Sequence, residues 1–537
     1  MKNWVVGLLM VCMLGVCSVA SFADDKNAEG VIFKENNMTL HIGWASCSIT
    51  PEQPVFVSGQ FCARISQGVL DPVTSTVLAL ESDDRDSGVV MVSCDLVCIP
   101  NNFRDAVRRY ATRLLPQLKP ESIIINATHT HTAPEIRTEK DSPFASTGSM
   151  QGFGTGAGNV SALRDLEKNV MAPADYVEWA ASRIAEAIAQ AWNSRKPGGI
   201  GYGMGHAVVG HNRRISYYNE ETRMYGKTDD AEFSHVEGYE DHSVNILCTW
   251  DAEHRLTGLV LNIACPSQVS EHMYLLSADY WHETRQELRR RLGEDIYILA
   301  QASAAGDQSP HLLLLKAAEE RMWKLTGRTQ REDIAVRIAD AVTGALPYIE
   351  KEIDWQPVLK HSVETIGLPR RNLTEQDVAD ASQEATRLRK EYEKILADLE
   401  AHPQQHQPLE WYQWLTHNYR MMKWNEAVAE RYALQQKEPT IPVELHALRI
   451  GDVAVATNPF EYYLDFGMQI KARSRAVQTF VVQLAGAGTY LPTQRAIAGR
   501  SYGAMAASTP VGPEGGRKLA EWSVGAVNAF FPQPDKD

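Results

Sequence analysis

The sequence predicts a mixed α/β fold of layered β-sheets flanked by helices, with a helical hairpin inserted late in the chain. Three observations carry this expectation. Short apolar runs such as "TSTVLALES", "SGVVMVSCDLVCI" and "SIIINA" read as strands. Segments with helical apolar spacing alternate with them, an order that belongs to a mixed core. Residues 374–437 are instead rich in Glu, Lys, Gln and Ala at helical spacing, with a break at His402-Pro403.

The elements follow in order. Residues 1–23 have the layout of a signal peptide: Lys2, an apolar run from Trp4 to Val19, and the small-residue exit Ser21-Phe22-Ala23. The run is short for a span of ~20 residues, so cleavage and export to the periplasm or the outside is expected over an uncleaved anchor. Lipid attachment at Cys17 ranks below cleavage because Val16 is bulky for the preceding position. Residues 24–39 are a polar leader, and the folded domain is expected over 40–537. No later stretch is long and apolar enough to span a bilayer.

"LHIGWASCSIT", "TSTVLALES" and "SGVVMVSCDLVCI" read as strands, and "NFRDAVRRYATRLL" as an amphipathic helix. "SIIINATHTHTAP" is a buried strand entering a polar loop. Residues 138–172, with "GFGTGAG" at the centre, form either a long surface loop beside that strand end or a disordered insertion. "PADYVEWAASRIAEAIAQAW" is a helix with Pro at its start, and "ADYWHETRQELRRRLG" a helix ending at Gly293. Between and after them "SVNILCTWD", "TGLVLNIAC", "DIYILAQAS" and "VELHALRIGDVAVATN" are strand text.

The net charge is −14, or −15 once Lys2 leaves with the signal segment. Without a polybasic cluster, such a chain is repelled by nucleic acid and by anionic membrane surfaces. Six cysteines remain after residue 23, too few for a disulfide framework in a chain of this size, although Cys47 and Cys62 could form one bridge. The mature length admits two or more cores or one large enzyme domain.

Two segments carry chemistry. In Thr128-His129-Thr130-His131-Thr132, residues two apart on an extended chain point the same way, so both imidazoles should face one pocket. Neutral imidazole is a zinc ligand, although His pairs also occur by chance. In Gly306-Asp307-Gln308-Ser309-Pro310-His311, a strand runs into a small-residue turn that should expose the Ser309 hydroxyl. The same residue types also make a plain turn.

Together these segments resemble the neutral/alkaline, non-lysosomal ceramidase family. "INATHTHTAP" is similar to its THTHSGP-type motif and "AAGDQSPH" to its GDVSPN-type motif. In the same order, "GWASCSITP", "GHNRRISYYN", "LLSADYWHE", "TNPFEYYLDFG" and "TYLPTQRAIAGRSYGA" resemble further segments of the family. The resemblance runs from about Leu40 to near the C-terminus.

It implies an exported zinc-dependent hydrolase that cleaves the amide of ceramide or a related N-acyl lipid with metal-activated water. His129, Glu461 and Tyr502 would be zinc ligands, and His131 would sit beside the metal and handle a proton or the oxyanion. Ser309 would be the essential hydroxyl, and Arg213 would help hold substrate. The family's second His ligand falls at Cys265 here; a thiolate can bind zinc, His272 could reach in instead, or Cys265 is a buried core cysteine. The usual Gly after Asp279 is lost in Asp279-Tyr280-Trp281, which crowds the site. The family's C-terminal β-sandwich domain is not expected in this chain. Two alternatives remain: the same scaffold hydrolysing another ester, amide or sugar-derived small molecule, and a non-catalytic binding protein. An apolar groove would favour ceramide, and a polar cleft another substrate.

Overall fold

The period-2 alternation of the buried strands explains the architecture. The computed structural model describes residues 38–83, 88–137, 168–402, 404 and 410–532. The expected signal segment 1–23, nearly all of the leader and most of the 138–172 loop lie outside the described residues.

Eight strands form the main sheet: β1 (Leu40–Ser48), β2 (Thr74–Ser82), β3 (Gly88–Cys94), β4 (Ile123–Ala127), β5 (Lys196–His206), β6 (Ser243–Asp251), β7 (Leu256–Ile263) and β8 (Tyr297–Ala302). Their spatial order is β8-β7-β6-β5-β1-β2-β3-β4. The β3–β4 and β7–β8 pairs are parallel and the other pairs are antiparallel. A second sheet runs β9 (Leu359–Pro369), β10 (Thr440–Ile450), β11 (Val453–Thr457) and β12 (Gln478–Val482) in that order.

Alternate residues of these strands serve two cores. Leu78, Leu80, Val89, Met91 and Ile124 of the main sheet pack with Val453, Val455, Phe480 and Val482 of the second sheet. Their neighbours Val77, Ala79, Val90, Val92, Ile123 and Ile125 pack instead under helices α1 (Asn101–Leu114) and α2 (Pro173–Asn193). Ala454, Ala456 and Val481 point from the second sheet toward α7 (Leu464–Arg473) and α8 (Pro513–Asn528). The result is helices, sheet, sheet, helices, which is why these strands are apolar on both faces. The far strands β6, β7 and β8 are covered by α3 (Tyr280–Leu292) and α4 (Gln330–Ile349). The described residues group as one compact unit.

Local signals set the helix ends. Pro173 starts α2, where its missing N–H costs nothing, and Asp279 caps α3 by accepting from the Tyr280 amide. Gly293, at φ 122°, ends α3. Thr329 with Glu332 forms a capping box at the start of α4, and Thr374 with Asp377 one at the start of the helix from Glu375. Helices α5 (Glu375–Ala401) and α6 (Gln413–Leu434) lie together as a hairpin, sharing Ala385, Leu388 and Met422 in a small core. Through Trp424 and Val428 the hairpin packs on Phe61, Tyr502 and Ala507.

All six described cysteines are free thiols, so the Cys47–Cys62 bridge does not form. Cys47, on β1, packs against the α2 core, whereas Cys62 lies beside Arg64 and Arg420. Among the described residues, no helix is long and apolar enough to cross a membrane.

Candidate active site

The loops leaving β4, β7 and β8 meet where the two sheets join. Ser267 Oγ donates to the Thr128 carbonyl (2.8 Å), the His131 amide to the Ser267 carbonyl (3.3 Å), and the Gln483 amide to the Ala302 carbonyl (3.0 Å). Glycine permits two close approaches. A Cβ on Gly59, at φ 101°, would meet the His131 side chain at 2.6 Å, and one on Gly306 would strike the Glu461 carbonyl.

His129 and His131 do converge, although not as an extended pair. β4 stops at Ala127, and His129 adopts φ 65°, in the left-handed region that non-glycine residues rarely enter. The two Nε2 atoms are 3.3 Å apart. His129 Nδ1 donates to the Val97 carbonyl (2.6 Å), which leaves its Nε2 lone pair aimed inward. Glu461 Oε2 is 3.4 Å from that nitrogen.

His131 is held just as firmly. Its Nδ1 is 3.2 Å from Glu271 Oε2, and its Nε2 accepts from Gln268 Nε2 (2.9 Å). Arg213 Nη1 donates to Gln268 Oε1 (3.3 Å), which fixes that amide's orientation. Burial pushes the His131 pKa down to about 4, against the pull of Glu271, so the ring is neutral. The Nε2 atoms of both rings and a carboxylate oxygen therefore meet, with the His129 lone pair left open. Burial alone would raise the Glu461 carboxyl, but His129, Arg213 and Tyr490 hold it below the usual carboxylate range.

Arg213 is the buried hub behind this cluster. It donates to Tyr225 Oη (2.8 Å), the Gly306 carbonyl (2.9 Å) and Tyr490 Oη (3.2 Å), with Glu461 Oε2 at 3.8 Å. Ser309 is not exposed by its turn. It is fully buried, paired with His211 in a short ladder, and its Oγ accepts from Tyr225 Oη (3.3 Å) and the His311 amide (3.2 Å). Tyr225 and His311 cover it, with ring centroids 5.7 Å apart, so it reaches the cluster through Tyr225 and Arg213.

Tyr502 shares one cavity with His129, His131 and Glu461. Its ring centroid lies 5.2 Å from Tyr490 and 5.6 Å from Phe61. Burial, with Glu461 nearby, pushes its phenol up.

Cys265 is not brought to this cavity. Its side chain is buried with Ala207, Val209, Val244 and Tyr280, and its thiol donates to the Pro266 carbonyl (3.3 Å). Burial, with Asp279 nearby, raises the thiol well above its ordinary range. His272 is exposed and lies against His311, ring centroids 6.2 Å apart. From the same loop it is Gln268 and Glu271 that reach in, both on His131; Glu271 also accepts from His311 (2.8 Å) and Gln60 (3.2 Å). Two polar residues three apart, in the loop that follows β7, were the available sequence signal for them.

The remaining wall was not foreseen. Arg137, Phe61 and the hairpin residues Arg420 and Trp424 also line the cavity, Phe61 and Trp424 against the Tyr502 ring. As lined by described residues, its volume is about 120 Å³.

A helix–sheet–sheet–helix sandwich, with an electron-rich His–Glu–Tyr cluster at the joint of its sheets, defines the class of this chain. That fold is the one seen in neutral ceramidase. The chain is similar to the neutral ceramidase from Pseudomonas aeruginosa at a TM-score of 0.63 and 16% identity, covering 92% of this chain and 75% of that one. A structure described as ceramidase complexed with C2 matches at 0.60 and 14%, with the same coverages. No family model and no curated protein matches the chain.

Proposed function

We propose that this chain is a zinc-dependent hydrolase that cleaves a linear amide or related acyl bond. The observation that carries the reading is the convergence of the His129 Nε2 lone pair with the Glu461 carboxylate (3.4 Å), beside the His131 ring and Tyr502. Two acceptors this close call for a positive charge between them. Among the described residues no three His, Cys, Asp or Glu side chains are grouped to hold a metal ion. A metal would therefore take His129, Glu461 and the Tyr502 oxygen, leaving a position for water, as catalytic zinc sites do. Bound there, zinc supplies a hydroxide at neutral pH and polarises the acyl oxygen.

The chain's own residues do the rest. In hydrolysis, water adds to the acyl carbon, the carbon–nitrogen bond breaks, and a proton passes to the leaving amine. Neutral His131, oriented by Glu271 and Gln268, is placed to carry that proton. Arg213 fixes Gln268 and offsets charge beside Glu461, while Ser309 positions Tyr225 against Arg213. Ser309 and Arg213 thus act as positioning residues.

Ceramide or a related N-acyl lipid is one substrate reading, prompted by the sequence motifs and by the names of the two similar structures. The other is a smaller ester, amide or sugar-derived compound, which is supported by the cavity's volume, below the roughly 300–1,000 Å³ of drug-sized ligand pockets. Elemental analysis of the purified protein, joined to a panel of lipid amides, short acyl amides and esters, tests the proposal. A transition metal with turnover on any panel member supports it. Absence of both turns the chain into a binding protein.

A further inference from the structure

Tyr502 sits in a turn whose backbone is locally costly. Arg500 has φ 61° and ψ −151°, a region nearly confined to glycine, and Ser501 follows at φ 75°. Among the described residues no other two neighbouring non-glycine residues both have positive φ. Such a backbone persists only where surrounding groups hold it. The Ser501 carbonyl accepts from the Ala504 and Met505 amides (3.1 and 3.0 Å), and Ser501 Oγ accepts from the Met224 amide (3.1 Å). The carbonyls on either side of Ser501, those of Arg500 and Tyr502, need a donor from elsewhere.

Arg214 supplies it. Its Nη2 donates to the Arg500 carbonyl (2.9 Å) and the Ala496 carbonyl (3.1 Å), and its Nη1 to the Tyr502 carbonyl (3.4 Å). Ala496 lies in the short helix Gln494–Gly499, among the last carbonyls that a helix leaves without internal partners. Glu237 grips the guanidinium as well, at 2.6 Å to Nε and 3.0 Å to Nη2. Both side chains are buried, that of Arg214 completely. A planar fork of five N–H donors can meet a carboxylate and three carbonyls at once, which the compact ammonium of lysine cannot.

Arg213, the preceding residue, serves Gln268, Gly306, Tyr225 and Tyr490 behind the cluster. Successive residues of an extended chain point to opposite sides, so one dipeptide braces two walls of the same cavity. Arg214 does not itself line that cavity, whereas Tyr502 does.

We propose that Arg214, locked by Glu237, is the positioning residue of Tyr502: it holds the left-handed turn that delivers the phenol beside His129 and Glu461. This rests on the hydrolase reading for what the phenol does there, which is to bind zinc.

The test uses the whole chain, metal-free and loaded with zinc. Arg214→Lys keeps a charge beside Glu237 and loses the fork. In the metal-free protein, hydrogen exchange should quicken over residues 500–505 and stay unchanged around His129. Zinc affinity, measured by competition with a chromophoric chelator, should fall by about 10–100-fold, the range for a lost supporting contact. On a Tyr502→Phe background the same change should cost no further affinity, whereas a general packing defect would weaken zinc equally on both backgrounds. If Arg214→Lys does not fold, the paired variant Arg214→Gln with Glu237→Gln, which leaves no buried charge alone, takes its place. Normal zinc affinity in the folded variant, or equal losses on both backgrounds, overturns the proposal. A wild-type protein that takes no zinc and hydrolyses nothing rejects the hydrolase reading by itself. Exchange then decides on Arg214: quickening confined to residues 500–505 supports the positioning role, and unchanged exchange rejects it.

Discussion

Glu461 Oε2 lies 3.4 Å from His129 Nε2, and nothing but the folding of both sheets brings them together. His129 follows β4 of the main sheet and Glu461 follows β11 of the second. If this pair forms the metal centre, Glu461→Gln should abolish stoichiometric zinc while leaving the fold intact. Elemental analysis with circular dichroism checks it. A folded variant that keeps about one zinc per chain would remove Glu461 from the centre.

Ser309 is expected to act through Tyr225. Ser309→Ala should lower kcat by ~10–10³-fold with metal content unchanged, the range of a lost positioning or oxyanion contact. Tyr225→Phe should do the same, and the double variant should be little worse than either single one, because both break one chain ending at Arg213. Additive losses would show that Ser309 meets substrate directly.

Cys265 tests the difference between sequence and structure most sharply. Cys265→Ala should keep wild-type zinc content and cost about 1–2 kcal/mol of stability, the price of a small core void. Loss of zinc with a normal melting temperature would restore Cys265 as a ligand.

Stability should also respond to Glu444, remote from the cavity. Its carboxylate takes both terminal nitrogens of Arg108 (2.9 and 3.1 Å) and lies 3.1 Å from His446 Nε2. Burial raises its carboxyl, but His446 and Arg108 more than reverse this and hold it well below the usual range. A depressed carboxyl adds stability above its unfolded pKa of ~4.3 and loses it as pH falls toward the folded value. Buried His446, whose pKa is also lowered, works in the same direction below about 6.5. Glu444→Gln should cost about 2–3 kcal/mol at pH 7 and flatten the acid limb of the stability curve. An unchanged acid limb would show that the pair is not coupled to folding.

The sheet strands were legible because both their faces are buried: "TSTVLALES" splits cleanly into Val77 and Ala79 on one side, Leu78 and Leu80 on the other. His129, His131, Glu461 and Tyr502 were legible from ordered motifs, and all four reach one cavity. The left-handed turn at His129 was not, because Thr-His-Thr-His reads as extended chain until Val97 is known to take the ring nitrogen. Nor was the burial of Ser309, since its covering residue Tyr225 is far away in sequence. Arg420 and Trp424 looked like an ordinary helical surface because their partner Phe61 precedes them by most of the chain.

The inserted hairpin also orders events in time. The cavity needs Phe61 and His129 from the first third of the chain, Arg420 from the hairpin, and Tyr502 from near its end. A nascent chain can build β1–β4 and their covering helices early, before the later segments exist. The cavity closes only after segments separated by hundreds of positions have met, and such non-local closures are the slow steps of folding. In refolding, helical and strand signals should return first, and zinc retention last.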